Sequence, residues 1–161
     1  MTSRNNLTTL CYLEQNGCYL MLHRTKKEKD INKDKWIGIG GHLEEGESPE
    51  ECLVREMREE TGVTPVSPKL RGIITFVSDR YGTEYMFLYS AKAYQGELSS
   101  DCIEGDLQWV EKDRISSLPL WEGDKIFLRL MSENHPFFSL KLSYQGDNLV
   151  YAALDGEELK L

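Results

Sequence analysis

The densest concentration of reactive side chains is the stretch GGHLEEGESPEECLVREMREETG, residues 40–62, which carries eight Glu and no Asp. Three of them, Glu56, Glu59 and Glu60, stand at i, i+3 and i+4. At ~100° per residue they fall within an arc of roughly 100° on a helix and form one acidic edge. Like charges at this spacing cost an isolated helix about 0.2–0.5 kcal/mol per pair, so the edge needs solvent screening or a cation. Clustered carboxylate oxygens are hard ligands that suit Mg2+ or Mn2+, ions that also take phosphate oxygens and water. The plainer alternative is a solvated, salt-bridged helix, because Glu51 and Arg55, and again Arg55 and Glu59, are i,i+4 pairs.

The element that must carry this edge is marked at both ends. Ser48 is a good N-cap, Pro49 suits the first helical position, and Glu51 completes an S-x-x-E capping box, so a helix starts near Pro49. It stops at Thr61, because Gly62 can take the left-handed conformation that closes a helix. Leu53 and Met57, four apart, face the core, with Val54 and Thr61 beside them. Just upstream, KWIGIGGHL alternates apolar residues with glycine, as expected where backbone closely approaches a ligand or another strand.

The remaining elements read as a mainly β frame. LTTLCYLE and CYLMLHR flank the turn signal QNG and predict an opening hairpin. LRGIITFVS and TEYMFLYSAKAYQ predict two further strands, and LQWV a short one. WEGDKIFLRLMSE has helical periodicity in Ile126, Phe127, Leu130 and Met131, and FFSLKLSYQGDNLVYAAL predicts a closing hairpin around Gln145 to Asn148. The charged run TKKEKDINKDK, residues 25–35, reads as a solvated loop.

With 161 residues the chain suits one domain, 1–161, around a single core. No apolar run approaches the ~20 residues that span a bilayer, and the N-terminus has no leader pattern, so a cytoplasmic protein without membrane association is expected. A net charge of −8 argues against a nucleic-acid polymer as partner, while a phosphate ligand remains open if metal ions bridge it to the protein. Cys11, Cys18, Cys52 and Cys102 show no CxxC pairing and read as reduced thiols, mostly small buried hydrophobes. Nothing in the sequence chooses between a monomer and a homodimer.

Gly41, Glu47, Arg55, Glu56, Glu59, Glu60 and Gly62, with Met57 and Val63 at the apolar positions, match the Nudix box, G-x5-E-x7-R-E-U-x-E-E-x-G-U, throughout. With each fixed letter at about 7%, chance would produce this on the order of once in a hundred million starting points. The chain therefore resembles the Nudix family. CYLEQNGCYLMLHR, KWIGIGGHLEEGE, LPLWEGDKIFL and FFSLKLSYQGDNL extend the likeness to its MutT-type branch, which hydrolyses oxidised purine nucleoside triphosphates such as 8-oxo-dGTP. The resemblance implies an α/β/α sandwich with a mixed sheet and the box as a loop-helix-loop unit. It implies a small-molecule nucleotide as partner, with the Gly40 carbonyl, Glu56, Glu59 and Glu60 as metal ligands and Glu104 as a further carboxylate. Glu59 or Glu56 would accept the proton of the attacking water, Glu59 being preferred, and Arg55 would orient Glu47 and the helix edge. The products would be a nucleoside monophosphate and pyrophosphate.

For the base, Trp121, Trp36, Phe76 and Tyr85 are stacking candidates that could equally be core, and Asp124 is the best acceptor unless it serves as a helix cap. His23 and Arg24 are further candidate substrate contacts, along with the lysines of 25–35. The chain departs from the vertebrate oxidised-purine hydrolases at two positions. Ile37 stands where they have a base-reading Asn, and Gly123 where they have the first of two adjacent Asp. Hydrolysis of another nucleoside diphosphate derivative such as ADP-ribose, or broad house-cleaning triphosphatase activity, stays open. A silent nucleotide-binding module would commonly lose box glutamates, and all are present here.

Overall fold

In the computed structural model, which describes residues 6–25, 32, 34–98 and 105–161, the chain opens with β1 (Leu7–Gln15) and β2 (Cys18–Arg24). Asn16 and Gly17 join them at φ 52° and 77°, the pair of positive values that a two-residue hairpin turn requires. The strands pair with each other only at this closed end, Glu14 with Tyr19 and Gln15 with Cys18. Further along, residues 36–43 bridge the two strands. β3 (Trp36–Ile37) pairs with Leu22 and His23 of β2. The rest of the segment lies along β1, where Cys11 N–H donates to Ile39 O (2.7 Å), Ile39 N–H to Cys11 O (2.9 Å) and Thr9 N–H to Gly41 O (2.9 Å).

Next come α1 (Pro49–Thr61), β4 (Thr64–Val66), β5 (Lys69–Ser78), β6 (Gly82–Ala91), β7 (Ala93–Gln95) and β8 (Gly105–Glu111). A 3-10 turn over Lys112–Ser117 leads to α2 (Glu122–Ser132), β9 (Phe138–Gln145), β10 (Asn148–Leu154) and β11 (Glu157–Glu158). The main sheet runs β11-β10-β9-β5-β6-β1-β2-β3, with β8 along the other edge of β2. β1 is parallel to β6 and β5 to β9, and the remaining neighbours are antiparallel, so the sheet is mixed.

β1 is buried on both faces, and its alternation separates two cores. Leu10 and Tyr12 pack with Trp121, Phe127 and Leu130 on the α2 side. Cys11 and Leu13 pack with Leu53 and Met57 of α1 on the other. Helices therefore cover opposite faces, and the expected α/β/α sandwich is the observed architecture. The strand read in TEYMFLYSAKAYQ breaks after Ala91, and β7 leaves the main sheet to pair with β4 beside the end of α1. The short strand read at LQWV is seven residues long, because β2 pairs with it along its whole length. On α1 the buried stripe includes Cys52, whereas Val54 is only half-buried.

Arg71 links the two layers. A register shift between Leu70 and Gly72 singles it out on β5. Its buried guanidinium donates to Ser90 Oγ (2.9 Å), Met131 O (3.0 Å) and Asn134 Oδ1 (3.4 Å). A cation thus meets the carbonyl end of α2, where the helix dipole favours one. Among the described residues no helix is long and apolar enough to cross a membrane.

Candidate active site

The cap of α1 forms as its sequence dictates: Glu51 N–H donates to Ser48 Oγ (3.1 Å) and Ser48 N–H to Glu51 Oε1 (2.9 Å). That occupies Glu51, so Arg55 turns elsewhere. Its Nε donates to Glu47 Oε2 (2.7 Å) and Nη2 to Glu47 Oε1 (2.9 Å), a bidentate pair, while Nη2 also donates to His42 O (3.1 Å). Nη1 donates to Glu56 Oε1 (2.9 Å) and reaches Glu59 Oε2 at 3.5 Å. The bond from Arg55 holds the Glu47 carboxyl below the usual carboxylate range, and those carboxylates raise Arg55 in turn. Along the acidic edge the side chains grade in exposure: Glu56 is 16% exposed and Glu59 60%, with Glu60 half-buried between.

Residues 40–41 fit this edge by lacking side chains. A β-carbon on Gly41 would lie 2.5 Å from the Glu56 carboxyl carbon, and one on Gly40 would lie 1.8 Å from Thr9 O. The Gly41 carbonyl accepts from Thr9 N–H and from the Cys52 thiol (3.5 Å). The Gly40 carbonyl, between two carbonyls committed to β1, takes no hydrogen bond among the described residues. The three glutamates and the Gly40 carbonyl are hard-oxygen donors, and the hollow that Gly41 leaves for Glu56 is one that any side chain would fill. These residues therefore fit a divalent ion of the Mg2+ or Mn2+ type. Among the described residues no three acidic, imidazole or thiol groups converge on one point. The cation that Glu47, Glu56 and Glu59 meet here is Arg55.

At the other end of the same segment, Trp36 is buried on the α2 face of the sheet together with Trp121 and Phe76. Trp121 meets Phe76 edge-on (centroids 5.3 Å apart) and Tyr144 likewise (5.0 Å), donates from Nε1 to Asn32 Oδ1 (2.7 Å), and has Lys35 Nζ 4.7 Å above its ring. Asp124 lies one turn into α2 and is 4% exposed. It does not cap the helix: Trp121 holds the cap position, and its side chain makes no capping hydrogen bond. Burial pushes the Asp124 carboxyl up to about 8, against a smaller opposing pull from Lys35. The helix N-terminus favours a carboxylate, but desolvation wins, and the group is mostly a neutral acid at pH 7.

Two tyrosines that sequence reasoning missed crowd this acid. Tyr12 and Tyr144 are both raised by burial first and by Asp124 second. The Tyr144 hydroxyl accepts from Gly123 N–H at 2.7 Å, and a β-carbon at Gly123 would fall 2.7 Å from that oxygen and 2.4 Å from Leu142 Cδ1. Alternation along β9 marks Tyr144 as inward-facing, but nothing local ties it to Gly123, which lies 21 residues away.

His23 stacks on Trp36 (4.5 Å, 5° between planes) and points to the α2 face, as Tyr19 and Met21 do. Arg24, the next residue, falls on the opposite face of β2. Tyr85 is 40% exposed on β6 and contributes nothing to the aromatic cluster. Glu104 and most of 25–35 lie outside the described residues. Of the thiols, Cys11 and Cys52 are buried and Cys18 half-buried.

The Nudix domain profile matches residues 4–131. A Nudix hydrolase of Bacillus subtilis, YvcI, is 31% identical over 94% of this chain and 96% of its own length. An oxidized purine nucleoside triphosphate hydrolase of Danio rerio is 30% identical over 91% of each. The crystal structure of a MutT protein from Bacillus halodurans superposes with a TM-score of 0.82 at 30% identity, covering 94% of this chain and 98% of that one.

Proposed function

The chain belongs to the Nudix hydrolase family, and from that premise we propose that it hydrolyses nucleoside triphosphates to monophosphate and pyrophosphate, oxidised purine nucleotides such as 8-oxo-dGTP being its preferred substrates. The observation that carries this reading is the course of residues 36–43. Trp36 at one end joins an aromatic cluster beside the neutral Asp124, and Gly41 at the other closes on Glu56. One short segment thus connects a place for a base to a place for phosphates.

In this reading the Gly40 carbonyl, Glu56, Glu59 and Glu60 hold the metal, with Glu104 as a further carboxylate. Mg2+ or Mn2+ bound there supplies charge neutralisation of the triphosphate and a lowered pKa for the attacking water. Glu59, the most exposed of the helix-edge acids, accepts the water's proton. Arg55 and Glu47 are positioning residues: their bidentate bond fixes the 40–47 loop against α1. Protonated Asp124 both donates and accepts, so it can meet the O6 acceptor and the N7–H donor of 8-oxoguanine together, whereas guanine presents two acceptors there. Trp121 supplies the adjoining aromatic surface, and His23 and Arg24 lie at the end of the strand that pairs with Trp36.

The deciding experiment is a turnover panel of 8-oxo-dGTP, dGTP, dCTP and ADP-ribose with released phosphate species identified. Chelator should abolish activity and Mg2+ or Mn2+ restore it. Glu59→Gln should lower kcat by ~100-fold or more, the usual range for a lost general base, with an unchanged circular dichroism spectrum. Full turnover in EDTA, or wild-type rates in both Glu59→Gln and Glu60→Gln, would remove the mechanism, and ADP-ribose as the best substrate would remove the base assignment.

A further inference from the structure

Between the 3-10 turn Lys112–Ser117 and α2 lies a cavity of about 520 Å3, and no residue lining it belongs to the site above. That volume is within the ~300–1,000 Å3 usual for small-molecule sites. Its floor is apolar and firm: Tyr19, Ile115 and Leu128 are 1%, 4% and 6% exposed. Its walls carry Lys112, Lys125 and Arg129 against one acid, Asp113, on a chain whose net charge is −8. Glu14 and Glu122, neither of which lines the cavity, hold the two lysines. The Arg129 guanidinium has no hydrogen-bond or ion-pair partner among the described residues, and neither does the hydroxyl of the buried Tyr19. A donor fork and a phenol are thus left unused around one apolar floor.

We propose that this cavity is a second ligand site, taking a phosphomonoester with a compact apolar or aromatic body. With Lys112 and Lys125 held by Glu14 and Glu122, the unpartnered Arg129 guanidinium is the group that meets the phosphate, since its donor fork suits phosphate oxygens, and Lys125 stands one turn before it on α2. The body of the ligand lies on Tyr19, Ile115 and Leu128, with the Tyr19 hydroxyl as donor or acceptor to it. This site stands independently of the hydrolytic reading of the glutamate edge.

The test is a titration of the full chain in EDTA with phenyl phosphate and with inorganic phosphate, followed by calorimetry and amide chemical shifts. Phenyl phosphate should shift amides of 112–117 and 125–132 and bind about ten-fold more tightly than inorganic phosphate. Arg129→Gln and Lys125→Gln, both changes at solvent-accessible side chains, should each weaken it about five-fold or more while metal-supported turnover stays at the wild-type rate. Shifts confined to 40–62, or an affinity unchanged in both variants, would overturn the site. Equal affinity for the two probes would overturn the apolar half of the proposal.

Discussion

Asp124 shows how far one side chain can be moved by its surroundings. Burial pushes its carboxyl up to about 8 in the fold, against ~3.9 in an unfolded chain. Between those values the folded protein keeps a proton that the unfolded chain has lost. The stability this group contributes is therefore fully present below pH ~4 and is lost as pH rises through about 8. Asp124→Asn stays neutral throughout, so its melting temperature relative to wild type should climb from pH 5 to about 8 and level off above that. A pH-independent difference in scanning calorimetry would mean that Asp124 is ionised across the range. The residue itself was legible as a polar group one turn into a helix. Its protonation was not, because desolvation depends on neighbours such as Tyr12 and Tyr144, which the sequence places far from it.

At the scale of elements, α1 was readable almost to the residue. Its start and stop are set by bonds that reach no further than three or four positions: Ser48 with Glu51, and Gly62 N–H with Arg58 O at φ 82°. Ser48→Ala removes one partner of the box and should cost about 1 kcal/mol, a fall in melting temperature of roughly 2–4 °C for a domain of this size. Turnover should survive, since the Arg55–Glu47 pair and the close fit of Gly41 to Glu56 fix the acidic edge without the cap. A collapse of kcat at unchanged stability would show that the cap also sets the loop before it. β7 was not readable as a separate element. Its residues continue the β-prone run of β6, and what detaches them is a partner, β4, that only the packed fold brings alongside.

Across the whole molecule, the two helices are tied to one sheet by means that differ in kind. α1 relies on apolar burial of Leu53 and Met57 plus the Cys52 and Thr9 contact, whereas the end of α2 relies on Arg71. Arg71→Ala should leave the Ser90 hydroxyl and a helix-terminal carbonyl without their donor and cost on the order of 3 kcal/mol, read from the urea midpoint. A loss below about 1 kcal/mol would show that water takes over those bonds. The sequence alone determined the helix limits, most strand positions and the family of the glutamate edge. Capping, side-chain periodicity and ligand spacing all act over a few residues of chain. Only the tertiary structure decided that residues 36–43 run from the aromatic cluster to Glu56, that Tyr144 meets Gly123, and that Asp124 is neutral. Each of these depends on which distant segment fills the neighbouring space, and on how completely it excludes water.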